Sequence, residues 1–202
     1  MRAIEAYRRL RAVDTDVLDT SDAAALLGGK SSHASRTLER LADAGQIIRL
    51  KRGLWGFVDR LDPLRLPGVL AAPMPCYVSL QTALYHHGMI SQIPETIYAV
   101  SLARTRRWST RLATVSIHHV CPSFFFGYER ADANGMLIAS PEKALLDCLY
   151  LSPARSRLFA RLPELELPPK FNRQQARAFA ERIPSQRLRI LVRRRLDALL
   201  GG

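Results

Sequence analysis

The first sixty residues carry a hydrophobic pattern whose period changes along the chain. Ile4, Tyr7 and Leu10 recur at helical spacing with Arg8 and Arg11 on the other side, which predicts a short amphipathic helix over residues 2–12. The segment DTSDAAALLGG offers Asp19, Thr20 or Ser21 as an N-cap, an alanine-rich helix, and Gly28-Gly29 as its stop. KSSHASRTLERLADAG then begins on Ser31 or Ser32 as a cap, sets Ala34, Leu38 and Leu41 on one face, and ends at Gly45. In QIIRLKRGLWGFV the period shortens to two. Ile48 and Leu50 alternate with Arg49 and Lys51, the chain turns at Arg52-Gly53, and a second apolar strand follows.

Two helices joined by a glycine turn and followed at once by a basic-tipped hairpin have the order of a winged helix-turn-helix, here over residues 1–60. In such a unit the second helix of the pair enters the major groove and the hairpin lies along the backbone or minor groove. The candidate DNA-contacting residues are Lys30 at the entry turn, Ser31, Ser32, His33, Ser35, Arg36 and Arg40 on the helix, and Arg49, Lys51 and Arg52 on the hairpin. Arg36 is the candidate for base readout, because a guanidinium fork matches guanine N7 and O6; the others suit phosphates. A protein-interaction module with the same element order is the competing reading.

Four prolines between Asp59 and Pro75 disfavour a long helix or a central strand and predict a linker over residues 61–75. Beyond it, Ser79 caps a helix over about 79–87 that stops at Gly88, and residues 96–102, 112–120 and 135–139 have strand character. Ser140 and Pro141 open a helix over 141–151, with Ala144, Leu145, Cys148 and Leu149 as its apolar face. Asn172 and Ser185 cap two final helices. The expected fold is α+β: the winged helix-turn-helix, then a mixed α/β domain over 76–202 ending in basic helices. In the last helix Arg189, Arg193 and Arg194 form either a second phosphate-contacting surface or the solvated side of a helix packed through Leu188, Leu191 and Leu199. Arg104, Arg106, Arg107 and Arg111 surround Trp108 in a segment read as a loop.

Charge changes the picture in one respect. The net charge is +12, from 30 basic and 18 acidic residues, which favours a polyanionic partner. Residues 1–70 hold 12 basic and 9 acidic groups, whereas residues 153–202 hold 12 and 4, so most of the excess lies at the C-terminal end. Cys76, Cys121 and Cys148 are far apart and without CxxC spacing, which suits a reducing cytoplasm better than a disulfide framework or zinc knuckle. No apolar run reaches the length of a signal peptide core or a membrane span.

Candidate chemistry is sparse. His86-His87 and His118-His119 are adjacent pairs that diverge on either a helix or a strand, and phosphate-cradling, dinucleotide and nucleophile-elbow motifs are missing, so no metal, cofactor or catalytic residue is expected. The enzyme alternative is a metal-dependent nuclease using Glu129, Asp132, Glu142 and Lys143. Glu142 and Asp147 project to different sides of their helix, and capping and surface solvation account for these residues more simply.

YVSLQTALYHHGMISQIPETIYAVS, followed by LIASPEKALLDCLYL, resembles the second domain of the AbiEi antitoxins of abortive-infection, type IV toxin–antitoxin pairs. The likeness spans about residues 5–155, including the N-terminal unit. The resemblance implies a repressor that binds inverted repeats of double-stranded DNA in its own promoter and counters a nucleotidyltransferase toxin without a stable complex; a dimer on DNA is expected by analogy with paired half-sites. A free-standing regulator without a toxin is the alternative.

Overall fold

The computed structural model describes residues 3–131, 135–153 and 164–201. Among them lie eight α-helices and two β-sheets, an α+β architecture. Contacts divide the chain into two units: residues 1–66 with 109–113, and residues 67–108 with 114–202.

The first unit contains α1 (Ala3–Arg11), β1 (Val17–Asp19), α2 (Thr20–Leu27), α3 (Ser31–Asp43), β2 (Ile47–Lys51) and β3 (Leu54–Phe57). Asp19 is the cap chosen for α2, its carboxylate accepting from the Ser21 and Asp22 amides, and Gly28 ends the helix at φ +68. The cap of α3 differs from expectation. Lys30 occupies it, Ser31 is already helical, and no side chain caps the helix. Ala6, Leu10, Ala23, Leu27, Ala34, Leu38, Leu41, Ile47, Trp55 and Phe57 close a common core. The sheet has order β1-β3-β2, antiparallel throughout, so the hairpin gains a third strand that the alternation in the sequence did not reveal.

Residues 61–75, expected as a linker, carry short local structure. A short 3-10 turn at Pro63–Arg65 leads into α4 (Leu66–Ala71), and Leu61, Leu66, Leu70 and Ala71 are buried. The prolines do not prevent this, because Pro63 and Pro67 stand in first-turn positions, where the missing amide proton costs no helical hydrogen bond.

In the second unit β4 (Cys76–Val78), α5 (Leu80–His86), β5 (Thr96–Ser101), β6 (Arg106–Ser109), β7 (Thr114–His119), β8 (Tyr128–Arg130) and β9 (Leu137–Ala139) precede α6 (Pro141–Leu151), α7 (Arg173–Glu181) and α8 (Gln186–Leu200). The six-stranded sheet runs β6-β7-β5-β4-β9-β8 and is mixed: β5 pairs in parallel with β7 and β4 with β9, while β4–β5 and β8–β9 are antiparallel. The arginine-rich segment around Trp108 was expected as a loop but supplies the edge strand β6. Edge strands tolerate such charge, which also discourages pairing with other chains. Helix α6 packs against α5, α7 and α8. Its residues Glu142–Leu149 are all buried. Helix α8 buries Val192, Leu196 and Leu200, with Leu188 partly covered; Leu191 and Leu199, expected in the packing face, are exposed. The face turns because α8 follows an i, i+4 row rather than the one anticipated.

Candidate nucleic-acid interface

On α3 the buried stripe is Ala34, Leu38 and Leu41. With 3.6 residues per turn, Arg36 falls opposite that stripe, flanked on one side by His33 and Arg40 and on the other by Glu39 and Asp43. Lys30, Ser31, Ser32, His33, Arg36 and Arg40 are all exposed, whereas Ser35 is half-buried, nearer the edge of the stripe. The uncapped start of α3 leaves first-turn amides without a side-chain acceptor.

The hairpin is held firmly from behind. Arg52 and Gly53 form its turn, with Gly53 at φ +78, a left-handed conformation costly for residues with a Cβ. Thr20 ties that turn to the start of α2: its amide donates to the Gly53 carbonyl at 2.9 Å, and its hydroxyl accepts from Trp55 Nε1 at 3.1 Å. A register shift between Arg49 and Lys51 kinks β2. Arg52 is exposed at the tip, Lys51 is half-buried, and the exposed Arg49 guanidinium lies 5.6 Å from the Trp55 ring centroid.

Several basic residues of this unit are engaged internally. Arg9 pairs with Glu5, Arg11 with Asp59 and Arg65 with Asp16. Arg60 donates to the carbonyls of Arg11, Val13 and Thr15. By contrast Lys30, Arg36, Arg40, Arg49 and Arg52 have no carboxylate within ion-pair distance among the described residues. Part of the unit's basic charge is thus neutralised by ion pairs, while the basic groups of α3 and the hairpin tip, and also Arg8 on α1 and Arg111, stand exposed.

The secondary basic positions are less uniform. Arg189 donates to the Glu181 carbonyl and Arg193 pairs with the Glu181 carboxylate at 2.9 Å, so these two are engaged within the C-terminal helices; Arg194 is exposed. Arg104, Arg106 and Arg107 are exposed along β6 and the residues before it, with Arg106 over the Trp108 ring at 5.0 Å. Arg111 is exposed in the segment that groups with the first unit.

The nuclease candidates do not assemble. Asp132 lies outside the described residues, and Glu129 is exposed on β8. Glu142 and Lys143 are buried, so surface solvation does not account for them. Glu142 accepts from the Asn172 amide at 2.8 Å. Lys143 pairs with the fully buried Asp147, which also accepts from Ser79 Oγ at 2.6 Å and Tyr77 OH at 3.1 Å. The Lys143 ammonium sits 3.7 Å from the Phe124 ring centroid. Burial pulls Lys143 down and pushes Asp147 up, and their mutual attraction opposes both shifts. This network was missed because Lys and Asp four apart on a helix read as a surface pair. The signal was the apolar surround of α6: Ala144, Leu145, Leu146, Cys148 and Leu149 leave no polar side, so a charge on that helix needs an internal partner. Among the described residues no three His, Cys, Asp or Glu side chains gather as a metal site would require, and no helix is long and apolar enough to cross a membrane.

The sequence matches no protein-family model and no curated protein.

Proposed function

We propose that the chain is a cytoplasmic, non-enzymatic transcriptional regulator whose first unit is a winged helix-turn-helix. Helix α3 enters the major groove of duplex DNA, and the β2–β3 hairpin serves as the wing. The observation that carries this reading is the cluster of exposed basic groups on α3 and the hairpin: Lys30, Arg36, Arg40, Arg49 and Arg52 have no carboxylate within ion-pair distance among the described residues, whereas Arg9, Arg11 and Arg65 of the same unit are paired. Arg36, opposite the buried stripe, is the residue best placed to read a guanine edge. Lys30, Arg40, Arg49, Lys51 and Arg52 supply phosphate contacts, and the uncapped N-terminus of α3 suits an anion. The resemblance of the second unit's segments to AbiEi antitoxins supports the fuller role: an autoregulating repressor that also counters a nucleotidyltransferase toxin.

Fluorescence anisotropy on two labelled duplexes tests the reading. One duplex carries the inverted repeat upstream of the gene, the other the same base composition shuffled. The repeat should bind roughly a thousandfold or more tightly at equal salt. Equal affinity for both would reject specific repression.

A further inference from the structure

The second unit contains a cleft of about 380 Å³ lined by residues of α5, β5, β6 and the loop before β5. Gln81, Gln92, Glu95 and Arg107 contribute polar groups, Tyr98 an aromatic one, and Ile90, Ile93 and Pro94 an apolar patch. We propose that this cleft binds a mononucleotide, a phosphorylated heterocycle.

The wall is fixed by its scaffold. Thr82 clamps α5 to β5, its hydroxyl donating to the Thr96 carbonyl at 3.3 Å and accepting from the Tyr98 amide at 2.9 Å. This holds Gln81 and Tyr98 at neighbouring positions. On β6 alternate side chains point to opposite faces. Arg106 and Trp108 meet on one face, so Arg107 projects from the other, where it lines the cleft.

Part of the wall's hydrogen-bonding capacity is unspent. Among the described residues the side chains of Gln81, Gln92, Glu95 and Arg107 have no hydrogen-bond or ion-pair partner, and Glu95 and Arg107 lie beyond ion-pair distance although both line the cleft. Polar groups gathered in a concave site and left without partners are the usual complement of a polar ligand. The chemistry of the groups narrows the class. A guanidinium fork matches a phosphate. Two carboxamides, each both donor and acceptor, match the mixed edge of a nucleobase, and a carboxylate accepts from ribose hydroxyls. The Tyr98 ring is the aromatic group of the lining against which a base could stack. The volume lies near the low end of the usual ligand-site range of about 300–1,000 Å³, suiting one nucleotide rather than two.

This inference does not depend on DNA binding. The experiment is isothermal titration of the full chain with each of the four ribonucleoside monophosphates, the corresponding nucleosides and inorganic phosphate, repeated for Arg107→Ala and Gln92→Ala. At least one monophosphate should bind, its nucleoside about tenfold or more weaker, and each variant should weaken binding by about tenfold. Both residues are exposed, so thermal unfolding of the variants should match the parent. Four outcomes would overturn the proposal: no monophosphate binding up to about 1 mM; phosphate binding as well as the nucleotide; binding unchanged in Arg107→Ala; or binding only to single-stranded oligonucleotides.

Discussion

The two charge-rich regions of this protein differ in what surrounds their charges. Around α3 and the β2–β3 hairpin, Lys30, Arg36, Arg40, Arg49 and Arg52 stand in water on a packed apolar base, with no carboxylate within ion-pair distance among the described residues. In the second unit Lys143 and Asp147 are fully buried and satisfy one another, with Ser79, Tyr77 and the Phe124 ring completing the enclosure. Only the first arrangement offers anything to a ligand. The second has turned its charge inward, where it fixes α6 against β4 and the aromatic segment. Residue types alone do not separate these cases; the neighbours do.

The contrast breaks most sharply at Asp147. Asp147→Ala leaves an unpaired ammonium in the core and should cost about 3–5 kcal/mol in urea denaturation, as should Lys143→Ala. The double variant Lys143→Met with Asp147→Leu should lose markedly less than either. A double variant as unstable as the sum of the singles would mean that the two residues act independently.

Gly127 tests the same enclosure sterically. It holds φ +74, and a Cβ there would meet the Lys143 side chain at 3.1 Å, so Gly127→Ala should cost about 1–3 kcal/mol by the same assay.

A smaller effect depends on pH. Burial pushes the His118 imidazole down to about 4 from its ordinary 6.5, so the folded second unit holds it neutral. The unfolded chain therefore binds more protons between those values. The contribution of His118 is complete above about 6.5 and is lost as pH falls towards 4. Urea midpoints measured across that interval should decline less steeply in His118→Gln.

The smallest expected change is at the α2 cap. Asp19→Ala should cost about 1 kcal/mol. The Ser21 hydroxyl, then the Asp22 amide, hold the Asp19 carboxyl below its ordinary value. That contribution is present at neutral pH and disappears as pH falls through the lowered value, so parent and variant should converge in acid.

How much of this was legible depended on whether the information was local. Helices α1, α2, α3, α5 and α6 were readable from apolar spacing and stops such as Gly28, and the hairpin from its alternation and Arg52-Gly53 turn. Strand β1 was not, because three residues carry no period and its register with Gly56, Trp55 and Leu54 is a tertiary fact. Strand β6 was hidden by its arginines, whose strand conformation comes from pairing at a sheet edge. The exposure of Arg36 and Arg52 followed from helix and hairpin geometry. The pairing of Arg11 with Asp59 joins positions 48 apart, so nothing local distinguishes Arg11 from Arg36. The cleft was invisible for the same reason: Gln81, Glu95 and Arg107 meet only when the sheet forms.

The most direct test is the salt dependence of duplex affinity for the intact chain and for Arg40→Ala/Arg52→Ala, both measured on the fragment carrying the inverted repeat. Each phosphate contact releases counterions on binding, so the slope of log affinity against log salt should shrink in magnitude by about two in the double variant, with its folding stability unchanged. An unaltered slope and affinity would contradict the account, because α3 and the hairpin would then not be where this protein meets DNA.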